Sequence, residues 1–168
     1  MARAAKADWR TPTEVVELLH VLWEGGPDLD PCASHEATRD ELLGRRENIF
    51  LEAGPGIDPN HLDGLKQPWT GRVYVNPPFG ELAEWMAKAV AEHELHGAEV
   101  VVLLPSRTDT RYWHDLVAKA DAVCFWRGRM TFVGAPAAAP FPTALVYFGP
   151  RPWDFQRVFT SKGMVVCP

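Results

Sequence analysis

Between Arg72 and Trp126 the chain alternates two hydrophobic periods, and this alternation restricts its fold more than any other feature. Val73-Tyr74-Val75, Glu99 to Leu104 and Ala122 to Trp126 are short β-branched or apolar runs of strand length. Between the first two, Glu81 to His96 carries Leu82, Trp85, Met86, Ala89 and Val90 at i, i+3, i+4, i+7 and i+8, the spacing of a helix with one buried face. Thr110 to Ala120 repeats the pattern with Trp113, Leu116 and Val117. Strand, helix, strand, helix, strand predicts an α/β fold in three layers, a sheet with helices on its faces. Three later strand candidates, Met130 to Val133, Ala144 to Phe148 and Met164 to Cys167, have no long helix between them. A mostly parallel sheet is therefore expected to end in antiparallel pairs.

Upstream, Trp9-Arg10-Thr11-Pro12 opens onto an apolar stripe of Val15, Val16, Leu18, Leu19, Leu22 and Trp23. Thr11 as N-cap, Pro12 at the first helical position and Glu14 three residues after the cap read as a capping box, which predicts a helix from Pro12 to Trp23. Asp28 to Ser34 (DLDPCAS) reads as a short strand ending in a proline and small residues. In open α/β sheets ligands sit beyond the carboxyl ends of the strands. DPCAS, NPPF and PSRTD all follow strand candidates, so they are expected to line one edge together.

Composition narrows the functional classes. The 168 residues are 46% hydrophobic and 23% charged, a globular balance, and no apolar run approaches the roughly 18 residues of a membrane span. The opening MARAAKADWR has no signal-peptide apolar stretch, so a cytoplasmic location is expected. Cys32, Cys124 and Cys167 are odd in number and far apart, which fits neither a disulfide framework nor a zinc module. The six histidines, including His93 and His96, match no metal signature. A net charge of −5 removes the simplest case for nucleic-acid binding and requires any such contact to use a local patch. No repeat or linker divides the chain; the Ala/Pro stretch from Gly134 to Pro142 is short, and residues 1–168 read as a single domain.

The chemistry concentrates in Asn76-Pro77-Pro78-Phe79. Two prolines fix φ and remove two backbone donors, so the Asn76 amide oxygen and the Pro77 carbonyl become fixed acceptors able to hold an amine with two N–H groups. Phe79 adds a face on which a planar base can stack. The same residues read equally well as a proline-stiffened strand exit with a packed phenylalanine.

NPPF is similar to the (D/N/S)PP(Y/F/W) motif of amino-group methyltransferases. With Trp9 to Pro12, Leu29 to Ala33, Leu62-Asp63-Gly64-Leu65, Trp69, Leu103 to Pro105, Thr108-Asp109 and Gly128 to Phe132, residues 9 to 150 resemble the small phage-type DNA N6-adenine methyltransferases. The resemblance implies a Rossmann-like class I methyltransferase core, S-adenosylmethionine as cofactor, and adenine in DNA as substrate, flipped from the duplex. It places Asn76, Pro77, Pro78 and Phe79 at the catalytic position. Trp9, Thr11, Pro12, Asp30, Cys32, Ala33, Asp63 and Leu65 fall on the cofactor side. No GxG follows Ala33; the chain continues Ser34-His35, and the small phage-type members also lack that glycine motif. Asp63-Gly64 alone would be a turn.

For DNA, Arg107, Arg111, Lys119, Arg127 and Arg129 share a stretch with only Asp109, Asp115 and Asp121, a local excess of two positive charges. The chain is too short for a separate target-recognition domain, so loops are expected to read a short or loose site. Three other readings stay open: a methyltransferase acting on cytosine N4, RNA or protein glutamine; a metal-binding pair at Asp28 and Asp30; and a non-catalytic binding module.

Overall fold

The computed structural model describes residues 9–32 and 63–168. Helix α1 spans Thr13–Leu22 and buries Val15, Val16, Leu19 and Leu22, the predicted stripe. Its start differs from the expected capping box. Pro12 is the cap, in an extended conformation (φ −60°, ψ 140°), and no side chain caps the helix. The Thr11 hydroxyl instead bonds the Tyr74 hydroxyl at 3.0 Å, and Glu14 pairs with Lys162 at 2.8 Å. Tertiary partners have taken both groups that a capping box would use.

After α1, Leu29 forms a parallel bridge with Val73 at the place of the expected DLDPCAS strand, with Asp28 N and Leu29 N bonding the Arg72 carbonyl and Tyr74 N the Leu29 carbonyl. Strand β1 (Arg72–Val75) leads through α2 (Leu82–His96) to β2 (Glu99–Pro105), which pairs parallel to β1 with Val75 opposite Val102. Gly97 closes α2 in the left-handed conformation (φ 69°), where glycine carries no Cβ penalty, and its N–H and that of Ala98 bond back to the last turn. The predicted helix Thr110 to Ala120 is in two pieces, α3 (Arg111–Asp115) and a 3₁₀ turn (Val117–Lys119). Then follow β3 (Ala122–Trp126), β4 (Thr143–Phe148), α4 (Pro152–Phe159) and β5 (Gly163–Val166).

The strand order is β1-β2-β4-β3-β5. Among the named strands, β1–β2 is a parallel pair, and β2–β4, β3–β4 and β3–β5 are antiparallel. The expected mostly parallel sheet is thus corrected to a mixed one, in which antiparallel pairing predominates. The reason is topological. The β3–β4 connection contains no helix to cross over the sheet, so β4 returns antiparallel, and it returns between β2 and β3 rather than outside them. β1, β2 and β3 nevertheless point the same way, so their carboxyl ends share one edge.

Helices lie on both faces, as the three-layer reading expects. Strand alternation sends Tyr74, Val101, Leu103, Cys124, Leu145 and Tyr147 toward α1 and α4, and Val73, Val75, Val100, Val102, Leu104 and Val146 toward α2. Two further expectations are corrected. Met130 to Val133 is not a strand; Met130 and Phe132 are buried, and only Val133 bridges, to Arg10. Helix α4 stands where no helix was expected, and its Phe155, Val158 and Phe159 complete the α1 side of the core.

Candidate active site

Asn76 leaves β1 two residues after Tyr74 and so continues the face that carries α1. Its Nδ2 donates to the Trp9 carbonyl at 2.5 Å and to Thr11 Oγ1 at 3.3 Å. A backbone carbonyl can only accept, so the amide cannot be turned over without setting two oxygens against each other. Asn76 Oδ1 therefore points away from the Trp9 carbonyl, and it is buried with no hydrogen-bond partner among the described residues. An orphaned buried acceptor costs about 1–3 kcal/mol and calls for a ligand donor.

The rest of the motif is built to leave acceptors open. Pro77 is buried, and no backbone donor among the described residues reaches its carbonyl, whereas the Pro78 carbonyl accepts from Glu81 N at 3.0 Å. Phe79 is half-buried and near-parallel to Trp9 (centroids 6.2 Å, interplanar 26°), with Phe132 and Phe141 meeting it edge-on at 5.9 and 5.3 Å. Trp9 also meets Phe132 and Phe141 edge-on. The sequence reading missed Phe132 and Phe141 because they sit in the irregular β3–β4 connection, without periodicity. Ser106 and Thr143, at the same edge, hold buried hydroxyl oxygens with no partner among the described residues.

The expected cofactor-side residues divide into groups. Trp9 and Thr11 meet Asn76 directly, and Pro12 follows them into α1. Asp30 is 3% exposed, and the hydrogen bond given to its carboxylate is from Cys32 N, at 3.0 Å. Burial pushes the Asp30 carboxyl up to about 7, only partly offset by that amide. Burial likewise raises the Tyr74 hydroxyl well above its ordinary value; the Thr11 bond opposes this, while Asp30 and Cys32 add to it, so these groups lie within electrostatic reach of one another. Ala33 and Leu62 lie outside the described residues.

Asp63 forms the turn anticipated for Asp63-Gly64: its Oδ1 accepts from Leu65 N at 3.1 Å, and Lys66 pairs with it at 3.1 Å. This turn is fixed beside Pro31, because Gly64 approaches so closely that a Cβ there would lie 2.1 Å from the Pro31 carbonyl oxygen. Trp69, fully buried, bonds the Gly64 carbonyl through Nε1 at 2.8 Å and pins the turn from below. Gly64→Ala is expected to destabilise the fold by about 1–3 kcal/mol through this overlap, which chemical denaturation of the variant checks.

The metal-pair reading of Asp28 and Asp30 does not survive. Asp28 is clamped by Arg72 through both carboxylate oxygens, at 2.7 and 2.8 Å, while Asp30 is buried elsewhere with Cys32. No cluster of three metal-ligating side chains occurs among the described residues.

Arg107, Arg127 and Arg129 are exposed and follow β2 and β3, on the edge that carries Asn76. Arg111 is exposed but pairs with Asp115 at 3.1 Å, which blunts its charge. Lys119 precedes β3, at the opposite edge, and pairs with Glu94, so it does not join this surface.

No curated protein and no solved structure matches the chain. Residues 57–143, more than half of its length, match the family described as DNA N-6-adenine-methyltransferase (Dam). The match takes in Asp63, Leu65, the whole NPPF segment and the four arginines, and it begins after Trp9, Thr11 and Asp30. With its NPPF segment at the shared edge of three codirectional strands, the chain belongs to the DNA N-6-adenine-methyltransferase (Dam) family.

Proposed function

We propose that this protein transfers a methyl group from S-adenosylmethionine to the N6 amine of adenine in DNA, with the base turned out of the duplex to reach Asn76. The observation that carries the reading is the buried Oδ1 of Asn76, without a partner among the described residues and turned away from the Trp9 carbonyl and Thr11 hydroxyl that Nδ2 reaches. An exocyclic amine has the two N–H groups that this oxygen and the open Pro77 carbonyl would accept. Base flipping is the general route by which an enzyme reaches such an atom.

The cofactor assignment also suits the residues present. Asp30, a buried carboxyl that accepts from Cys32 N, is a counter-charge for the ammonium of an amino-acid moiety; Trp9 and Thr11 stand beside Asn76, and the Asp63-Leu65 turn lies against Pro31. S-adenosylmethionine supplies an electrophilic methyl group on a sulfonium.

The chain's own part is orientation and charge. Accepting both N–H bonds at Asn76 Oδ1 and the Pro77 carbonyl fixes the rotation of the amine and raises electron density on its nitrogen. The same two acceptors stabilise the positive charge that grows there during transfer. Phe79 holds the plane of the base, with Trp9, Phe132 and Phe141 keeping its ring in place. Once the nitrogen is alkylated, its surplus proton leaves to water, so no strong base is needed. Arg107, Arg127 and Arg129 contact phosphates around the edge, Arg111 less so, and the loops there read a short or loose sequence. Among the described residues no helix is long and apolar enough to cross a membrane.

The test is transfer of labelled methyl from S-adenosylmethionine to unmethylated DNA, followed by digestion to nucleosides. Label is expected in N6-methyldeoxyadenosine. Label in N4-methyldeoxycytidine, or in RNA or protein but not DNA, would replace the substrate; binding of the cofactor with transfer to none of these would make the chain a binding module.

A further inference from the structure

We infer that Tyr74 is a positioning residue for Asn76, acting through the Thr11 hydroxyl, so that the segment ahead of α1 sets the direction of the amide that takes the target amine. This rests on the proposed function. Tyr74 is fully buried in β1, two residues before Asn76 and on the same face of the strand. Its hydroxyl lies 3.0 Å from Thr11 Oγ1, and Thr11 Oγ1 in turn receives Asn76 Nδ2 at 3.3 Å. The other N–H of the amide goes to the Trp9 carbonyl.

The consequence follows from donor and acceptor counting. A threonine hydroxyl can rotate, and one that turned its proton toward Asn76 would favour the reversed amide, with Oδ1 facing Thr11 and Nδ2 facing the substrate. A reversed amide would set N–H against the N–H of an amine and repel it. The Tyr74 hydroxyl engages Thr11 from the other side, either donating to its second lone pair or accepting its proton. When Tyr74 accepts the Thr11 proton, that proton cannot turn toward Asn76 and both lone pairs of Thr11 face Nδ2; when it donates, it takes one lone pair and leaves the other for Nδ2. Trp9 and Thr11, expected on the cofactor side alone, thus also act on the catalytic amide. Because the ring of Tyr74 packs in the core under α1, removing only its oxygen leaves the packing in place.

The experiment measures single-turnover methyl transfer to unmethylated DNA for Tyr74→Phe, Thr11→Val and Thr11→Ser, with S-adenosylhomocysteine affinity and melting temperature recorded for each. Tyr74→Phe and Thr11→Val are expected to lower the transfer rate about tenfold, the size of one ordinary hydrogen bond's net contribution and less than the direct loss of Asn76, because both act through the amide. For Tyr74→Phe, S-adenosylhomocysteine affinity should stay within about twofold and the melting temperature near wild type, since the removed oxygen faces Thr11 and the ring keeps its core packing. Thr11→Ser, which keeps the hydroxyl, is expected to restore the rate. Added to Asn76→Ala, Tyr74→Phe should cost nothing more, because its effect passes through the missing amide. Wild-type rates in both Tyr74→Phe and Thr11→Val, alongside a collapsed Asn76→Ala, would overturn the positioning role and leave the function standing. Rate, affinity and melting temperature falling together, without rescue by serine, would reduce Tyr74 to a structural residue. Full activity of Asn76→Ala would remove the functional reading itself.

Discussion

Asn76→Ala is expected to slow methyl transfer to DNA adenine by about 10²–10³-fold, the usual effect of deleting one preorganised partner of a developing charge. Affinity for S-adenosylhomocysteine should change by less than about threefold, because Asn76 is assigned to the substrate amine and not to the cofactor. The stability cost is small by comparison. The substitution frees the Trp9 carbonyl and one lone pair of Thr11, worth about 1 kcal/mol, but it also removes an orphaned buried oxygen. Transfer rate and melting temperature should therefore separate, with a collapsed rate on a chain that still folds. The decisive readout is labelled N6-methyldeoxyadenosine after nucleoside digestion. A variant keeping more than about a tenth of the wild-type rate would show that the oriented amide is not what holds the amine, well short of the expected loss.

How far this site could be read from sequence depends on whether the signal was local. The NPPF segment was legible because proline geometry and the preceding β-run are properties of adjacent residues, and the structure puts Asn76 one residue beyond β1. The α2 stripe was legible for the same reason: 3.6-residue periodicity is the direct trace of one buried face. The position of β4 was not, since order in a sheet is set by long-range pairing that leaves no periodicity in the strand itself. Thr11 shows a local rule losing to a tertiary one. Its spacing to Glu14 satisfies a capping box, yet the buried Tyr74 and the half-buried Asn76 both bond the hydroxyl and take it. Helix α4 did leave a signal, with Pro152 in its first turn, Asp154 beside it, and Phe155, Val158 and Phe159 at i, i+3 and i+4. Phe141 left none, because irregular backbone puts no pattern on the residues it buries, and Phe132 was marked only by the resemblance of Gly128 to Phe132, with no periodicity to point it at Phe79.

Asp30 yields the second large effect, and its sign changes with what is bound. In the free protein the carboxyl titrates near 7, against about 3.9 for an unfolded aspartate, so between these values the folded chain holds a proton that the unfolded chain has lost. Stability from this group is accordingly greatest below pH 4 and is lost as pH rises through 7. Asp30→Asn keeps an acceptor for Cys32 N and removes the buried charge, so at pH 8 the free variant should be more stable than wild type by roughly 2–4 kcal/mol. With an ammonium to neutralise it, the same carboxylate becomes an asset. If only the ionised form binds, its fraction is about 0.1 at pH 6 and about 0.75 at pH 7.5, so affinity for S-adenosylhomocysteine should rise roughly eightfold over that interval. Binding near pH 7 should also release about half a proton, readable by calorimetry in buffers of different ionisation enthalpy. Among the described residues Tyr74 and Cys32 are titratable neighbours, and Tyr74, held well above its ordinary range, stays neutral across the interval. Asp30→Asn should flatten the profile and weaken binding by about 10²-fold, the loss expected for a buried charge pair. A variant that binds as well as wild type, or a wild-type affinity indifferent to pH, would move the ammonium away from Asp30 while leaving Asn76 and its amine untouched.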